Sequence, residues 1–166
     1  MVIVPLSQED RKSLMQLYRE VTLSLNRTGI RQWDWFYPNR FVIGRDMKRG
    51  TLFGIRDGQR VIGAVVVDRR QSSRYAPLLW SDRAGEPACI HRLAVHPSYQ
   101  GQGIGKRLLQ FAEQHAQQSG GTSIRLDVYT GNPGAVGMYR RAGYAEIGRI
   151  SFPMRKVPYL CFEKLL

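Results

Sequence analysis

Gln100-Gly101-Gln102-Gly103-Ile104-Gly105-Lys106 sets three glycines at alternate positions ahead of a lysine, a pattern suited to holding an anion. Glycine has no Cβ to keep a ligand's oxygens away from backbone N–H groups. A helix beginning near Ile104 adds its unpaired first-turn N–H groups and the positive end of its dipole, so a diphosphate would bind there with little side-chain help. The spacing is neither the G-x-G-x-x-G dinucleotide fingerprint nor the P-loop, whose Lys is followed by Ser or Thr. Here Lys106 is followed by Arg107. On the glycines alone, a flexible turn without a ligand is the competing reading.

The flanking residues place this loop between two regular elements. Ala88 to Val95 reads as a strand, ended by His96-Pro97-Ser98, because proline has no N–H for the ladder and restricts the residue before it. Ile104, Leu108, Phe111 and Ala112 recur at helical spacing, with His115 in line, until Gly120-Gly121 stops the helix. Earlier in the chain, Val2 to Val4 reads as a short strand and Ser7-Gln8-Glu9-Asp10 as a capping box. A helix comes next with Leu14, Leu17, Tyr18, Val21 and Leu25 on one face, turned toward a sheet. A second helix starts around Asn39 and carries Phe41, Val42 and Met47 to a stop at Gly50. Thr51 to Arg56 and Val61 to Asp68 flank the turn signal Asp57-Gly58, and Val61 to Val67 is apolar enough to be covered on both faces. Later strands are expected at Ile124 to Tyr129, Tyr144 to Ile150 and Tyr159 to Leu165. This mixture indicates an α/β or α+β architecture and nothing narrower.

Gln100-x-x-Gly103-x-Gly105 after a strand ending in Leu93-Ala94-Val95 resembles motif A of the GNAT (GCN5-related) N-acetyltransferases. Asn132-Pro133 after the strand ending at Tyr129, then Tyr139-Arg140-Arg141-Ala142-Gly143-Tyr144, is similar to that family's second motif, in which an Asn opens a short helix that carries a Tyr. Together the matches span roughly residues 88 to 150 in the family's order and spacing. The resemblance implies a single domain over residues 1–166 with a mixed, twisted central sheet of about six or seven strands flanked by helices. It also implies that the fourth and fifth strands splay apart to admit acetyl-CoA as co-substrate.

Amine attack on a thioester needs a held carbonyl, a route for the amine's proton and a proton for the departing thiolate. By the resemblance, backbone groups of Leu93, Ala94 and Val95 pair with the pantetheine amides as an added strand does and polarise the acetyl carbonyl. The diphosphate then lies over Gln100, Gly101, Gln102, Gly103, Ile104, Gly105 and Lys106. Tyr139 matches the family's Tyr and is the expected general acid, since a phenol with a pKa near ~10 stays protonated at neutral pH. Asn132 either contacts the coenzyme arm or caps its helix. The glutamate that histone-modifying members carry on the fourth strand falls on Cys89 here. His91, two residues on and on the same face by strand alternation, is the candidate base, with a structural histidine or an ordered-water route as the alternatives. Glu86 is a weaker candidate. Gly29 to Pro38 lies where the family builds its acceptor pocket, and its aromatics either close over a ligand or plug the core. Asp34, Asp82 and Glu86 are candidate anchors for a cationic amine, and the connection from Arg69 to Pro87 exceeds ordinary loop length.

The charge balance, 25 Lys+Arg against 13 Asp+Glu for a net +12 over 166 residues, favours encounter with anions without naming one. The cations are scattered, with no basic arm or finger motif, so nucleic acid is not expected as a partner. No stretch approaches the roughly 18 apolar residues of a membrane span, and the start lacks the pattern of a signal peptide, so the expectation is a cytoplasmic protein without a membrane partner. Cys89 and Cys161 lack C-x-x-C spacing, so no metal is expected and the thiols should be buried and reduced. The expected activity is acetyl transfer to a primary amine, on a small molecule or a peptide, by direct attack in a ternary complex. The competing readings are a coenzyme-A-binding sensor and, less favoured, a basic nucleic-acid-binding protein. A homodimer is left open.

Overall fold

The computed structural model describes residues 1–166. Its regular elements are β1 (Ile3–Pro5), α1 (Arg11–Arg27), α2 (Arg40–Lys48), β2 (Leu52–Asp57), β3 (Arg60–Asp68), β4 (Pro87–Val95), α3 (Ile104–Gln118), β5 (Ser123–Tyr129), α4 (Pro133–Arg141), β6 (Ala145–Ile150) and β7 (Tyr159–Leu165). The seven strands take the hydrogen-bonded order β1-β2-β3-β4-β5-β7-β6. β4 and β5 are parallel, whereas β1–β2, β2–β3, β5–β7 and β6–β7 are antiparallel. This is the mixed α/β sheet expected from the sequence. The chain packs as two units, Met1–Val67 with Arg92–Ala112, and Asp68–His91 with Glu113–Leu166.

In the first unit, Ser7 opens the helical segment. Its hydroxyl accepts from Glu9 N, and the Asp10 carboxylate accepts from Ser7 N at 2.8 Å, so the box forms around a 3-10 turn and α1 starts one turn later than the box alone suggests. Arg56 grips the same carboxylate through Nε and Nη2 at 2.7 Å each, which holds Asp10 below the ordinary carboxylate range. Leu14, Leu17, Tyr18 and Val21 are buried in one cluster with Leu52, Val61, Ala64 and Val66. Each such aliphatic side chain contributes about 1.5–3 kcal/mol by leaving water. Val61 to Val67 is buried throughout, as its apolar run requires.

Asn39 caps α2 by accepting from Phe41 N and Val42 N. The buried face of α2 is Ile43 with Met47, one helical turn apart, and not Phe41, which is 71% exposed. Phe41 stands two residues from Ile43, about 200° round the helix, and so points away from the core. At the other edge of this unit a Cβ on Gly63 would lie 3.0 Å from Ile104 and 3.1 Å from Leu108. The missing side chain of β3 is what lets the first turns of α3 sit against the strand.

In the second unit, β5 pairs in parallel with β4 from Pro87↔Ser123 to Cys89↔Arg125, while its antiparallel pairing with β7 runs the full length of both strands. A short parallel ladder beside a long antiparallel one agrees with the expected parting of the fourth and fifth strands. A buried cluster joins Tyr75, Trp80, Cys89, Ile150 and Cys161. The connection before β4 forms no hairpin. Buried Arg125 pins it by donating to Gln71 Oε1 at 2.6 Å and to the Asp82 carbonyl, with its guanidinium 4.4 Å over the Trp80 ring. Glu163 completes the anchor by accepting from Ser81 N at 2.7 Å and from Arg125 Nε at 3.2 Å. Cys89 and Cys161 are free and buried, and burial pushes both thiols up to about 12. No helix is long and apolar enough to cross a membrane.

Candidate functional site

The glycine loop lies wholly within the first unit, and local bonds shape it. The buried His96 imidazole accepts from Ser98 N through Nδ1 at 3.1 Å, capping the 3-10 turn Pro97–Tyr99. Two amide side chains brace the loop beyond that turn: Gln100 Nε2 donates to the Val95 carbonyl at 3.1 Å and Gln102 Nε2 to the Ser98 carbonyl at 3.2 Å. Gly101 and Gly103 take φ of 76° and 78°, left-handed values that a side chain resists. A Cβ on either would meet nothing within 4 Å, so these glycines are required by conformation, and the surface above them is open.

Gly103 also serves as the cap residue of α3, because its carbonyl accepts from Arg107 N at 3.0 Å. It has no side chain with which to satisfy the first turn. The N–H groups of Ile104, Gly105 and Lys106 are therefore orphaned at the positive end of a 15-residue helix. Ile104 and Leu108 are buried and fix that end, while Lys106 is exposed and adds a full charge. Exposed amides, a helix dipole and a nearby ammonium together fit a diphosphate.

Leu93, Ala94 and Val95 lie just beyond a local distortion. Ala94 is buried in the core of the first unit, and Leu93 and Val95 are half-buried. Immediately before them Arg92 has φ of 50°, a left-handed conformation that costs a residue with a Cβ of order 1–3 kcal/mol. Its guanidinium donates to Asp46 Oδ2 at 2.6 Å and to the Tyr37 hydroxyl at 2.7 Å, and its carbonyl accepts from the Tyr18 hydroxyl at 2.9 Å.

The residues expected to move protons lie in the second unit. Asn132 caps α4 by accepting from Ala135 N at 3.1 Å, so the capping role is realised. Tyr139 lies on the buried face of α4 with Val136, its ring edge-on to Tyr144 at 5.8 Å and tilted against Phe162 at 5.9 Å. Burial raises its phenol well above the ordinary value, and the Asp127 carboxylate adds in the same direction. The group is a protonated donor at any physiological pH. His91 Nε2 lies 3.0 Å from Asp68 Oδ1. A carboxylate only accepts, so the neutral ring carries its proton on Nε2 and keeps Nδ1 as the basic nitrogen. Cys89 and His91 share a face of β4, as alternation requires. The Asp68 charge adds to the burial that raises the Cys89 thiol, so Cys89 supplies neither a base nor a thiolate.

The carboxylates considered as amine anchors have structural partners. Asp34 accepts from Phe36 N at 2.8 Å and Tyr37 N at 3.0 Å. Asp82 is bound by Thr122, Ser123 and Gly85 N, and the Thr122 hydroxyl is the main cause holding its carboxyl below the ordinary range. Glu86 pairs with Arg69 at 2.6 Å on the surface. In the 29–38 segment, Trp33 is buried and packs edge-on to Tyr18 at 5.5 Å, whereas Trp35 and Phe36 are each 83% exposed. Trp33 plugs the core with half-buried Tyr37 packed against it, and the other two aromatics face solvent. Sequence reasoning missed Asp68, Asp127 and Arg92. Asp68 closes an apolar run and Asp127 interrupts one, but neither spacing reveals a partner in another element.

Comparison with known proteins bears on the family and the fold. The acetyltransferase (GNAT) family matches residues 12–144. The uncharacterized N-acetyltransferase YesJ of Bacillus subtilis is 31% identical over 147 residues, covering 87% of this chain and 81% of that protein. A GNAT-family acetyltransferase structure from Streptococcus agalactiae superposes with a TM-score of 0.85 at 20% identity, over 99% of this chain and 95% of that one. A PaiA N-acetyltransferase structure from Thermoplasma acidophilum, in complex with coenzyme A, gives a TM-score of 0.73 at 20% identity, over 99% and 98% of the two chains.

Proposed function

The chain belongs to the acetyltransferase (GNAT) family, and from that premise we propose that it carries an acetyl group from acetyl-CoA to a primary amine, on a small molecule or a peptide, by direct attack within a ternary complex. The observation that carries this reading is the uncapped start of α3, where Gly103 leaves the amides of Ile104, Gly105 and Lys106 to an anion. Acetyl-CoA supplies the activated thioester and the diphosphate that those amides would hold. The coenzyme complex of the Thermoplasma acidophilum relative in fold supports the same choice of co-substrate.

Around that substrate each residue has a task. Backbone amides of Leu93, Ala94 and Val95 would pair with the pantetheine arm and polarise the acetyl carbonyl. His91, with Nε2 held by Asp68, would accept the proton that the amine sheds as its nitrogen bonds to the carbonyl carbon. Tyr139 would give its phenolic proton to the sulfur as the carbon–sulfur bond breaks. Protons balance: one leaves the amine, one reaches the thiolate, and solvent exchange returns Tyr139 and His91 to their starting states. We read residues 1–166 as one domain that works in the cytoplasm.

One observation favours a second reading, a coenzyme-A sensor: the position of the family's glutamate is Cys89, buried and with a thiol pushed up to about 12. Calorimetry with coenzyme A, combined with thiol release from acetyl-CoA against amino acids, polyamines, aminoglycosides and peptides, separates the two. Binding with transfer to one amine class is expected. Binding with no transfer to any of them supports the sensor, and no binding overturns both.

A further inference from the structure

Arg92 and Met154 are the only non-glycine residues with positive φ, and Arg92 does so in the middle of a strand, immediately before the amides assigned above to the coenzyme arm. A backbone held in a sparsely populated region persists only where its surroundings over-determine it. Here three elements do so. The Tyr18 hydroxyl of α1 donates to the Arg92 carbonyl at 2.9 Å, Asp46 of α2 accepts from Nη2 at 2.6 Å, and Tyr37 accepts from Nη1 at 2.7 Å. The Arg92 and Asp46 side chains are 9% and 3% exposed. Arg92 Nε is buried with no partner, so the guanidinium sits here despite one unmet donor. The fork geometry of arginine is what allows one side chain to reach two elements, and a lysine ammonium cannot reproduce it.

We propose that Arg92 is a positioning residue that holds the Leu93–Val95 amides at the coenzyme arm and, through Tyr37, makes the Trp33–Pro38 turn tighten when coenzyme binds. The inference rests on the coenzyme lying along Leu93 to Val95. Its physical basis is one residue anchored at both ends: an arm seated on the strand would resist rotation of the Arg92 backbone, and the buried guanidinium of that residue, fixed by Asp46, grips the phenol of Tyr37. Tyr37 N is tied to Asp34, and the Asp34 amide donates to the Tyr37 carbonyl at 3.0 Å, so restraint on Tyr37 reaches the whole turn, including exposed Trp35 and Phe36. Coenzyme would thereby order the turn before an amine arrives.

Hydrogen–deuterium exchange of peptides covering residues 31–41, with and without coenzyme A, tests this alongside calorimetry on the same samples. In the wild type, coenzyme A is expected to slow exchange in the turn at least threefold. Tyr37→Phe keeps the ring and removes the acceptor for Nη1, so it should abolish that slowing in samples that calorimetry shows to be saturated with coenzyme A. Arg92→Gly permits the left-handed backbone but removes the fork, and should weaken coenzyme A at least tenfold. Slowing that survives in Tyr37→Phe overturns the inference, as does wild-type binding that leaves the turn unchanged, or an Arg92→Gly protein that binds as the wild type does. Should Arg92→Gly fail to fold, Tyr37→Phe decides alone. Absence of any wild-type binding overturns the underlying functional reading, a distinct outcome from binding without a response in the turn.

Discussion

The glycine loop of the first unit and the residues proposed to move protons in the second are built on opposite principles. From Gln100 to Lys106 the side chains are mostly exposed, two of them serve only to brace the loop, and the surface offered to a ligand is backbone. Around Tyr139 and His91 the backbone is committed to helix and strand, and what is offered for chemistry is side chains, a phenol kept protonated by burial and Asp127 and an imidazole held by Asp68. The first region should therefore tolerate loss of a side chain and fail when one is added. The second should fail on loss of a single atom. On that reading, binding and turnover should be separable.

The largest effect expected is from Tyr139→Phe, which removes one oxygen. Turnover should fall about 10²–10⁴-fold, the range for a lost general acid, with coenzyme affinity within threefold. Unchanged turnover in stopped-flow thiol release removes Tyr139 from the mechanism. Because burial raises the phenol above its ordinary ~10, the protonated acid persists to higher pH, and kcat of the wild type should not decline between about pH 8 and 10. An alkaline limb in that window, absent from Tyr139→Phe, contradicts the assignment.

Gly103→Glu comes next. It puts a carboxylate and a strained φ into the cradle, and coenzyme A affinity should drop at least about 100-fold, equivalent to ~2.7 kcal/mol. Circular dichroism should be unaltered. His91→Gln should lower kcat by about 10–100-fold, and a change confined to KM would return His91 to a structural role. The smallest effect is expected from Lys106→Ala, about two- to fivefold in coenzyme affinity, since an exposed charge adds little to a site made of amides. If Lys106→Ala matches Gly103→Glu, the contrast between the two regions collapses.

Much of the architecture was legible because its causes are local. Asn39 and Asn132 cap the helices expected of them, Gly58 turns the hairpin, and β7 spans the residues foreseen. Phe41 misled because a hydrophobic residue near a helix start carries no mark of which face it joins until Ile43 and Met47 define the buried stripe. The glycine turn and the helix start after it could be read because three glycines and the first helical residues are consecutive. The Asp68–His91 and Arg92–Asp46–Tyr37 sets could not, since each joins residues from separate elements that only the folded chain brings within 3.0 Å. The three carboxylates singled out as amine anchors looked available for the same reason: the turn amides, the hydroxyls and the Arg69 guanidinium that occupy them are invisible to spacing.

The claim beneath the proposed activity is that amides at the start of α3 grip the diphosphate of the coenzyme. Backbone amide shifts monitored by nuclear magnetic resonance during titration with coenzyme A, and separately with pantetheine, address it directly. Coenzyme A is predicted to move the Ile104, Gly105 and Lys106 resonances most and downfield, and pantetheine, which lacks the diphosphate, to leave them in place. Saturable coenzyme A binding that leaves those resonances still would contradict the claim.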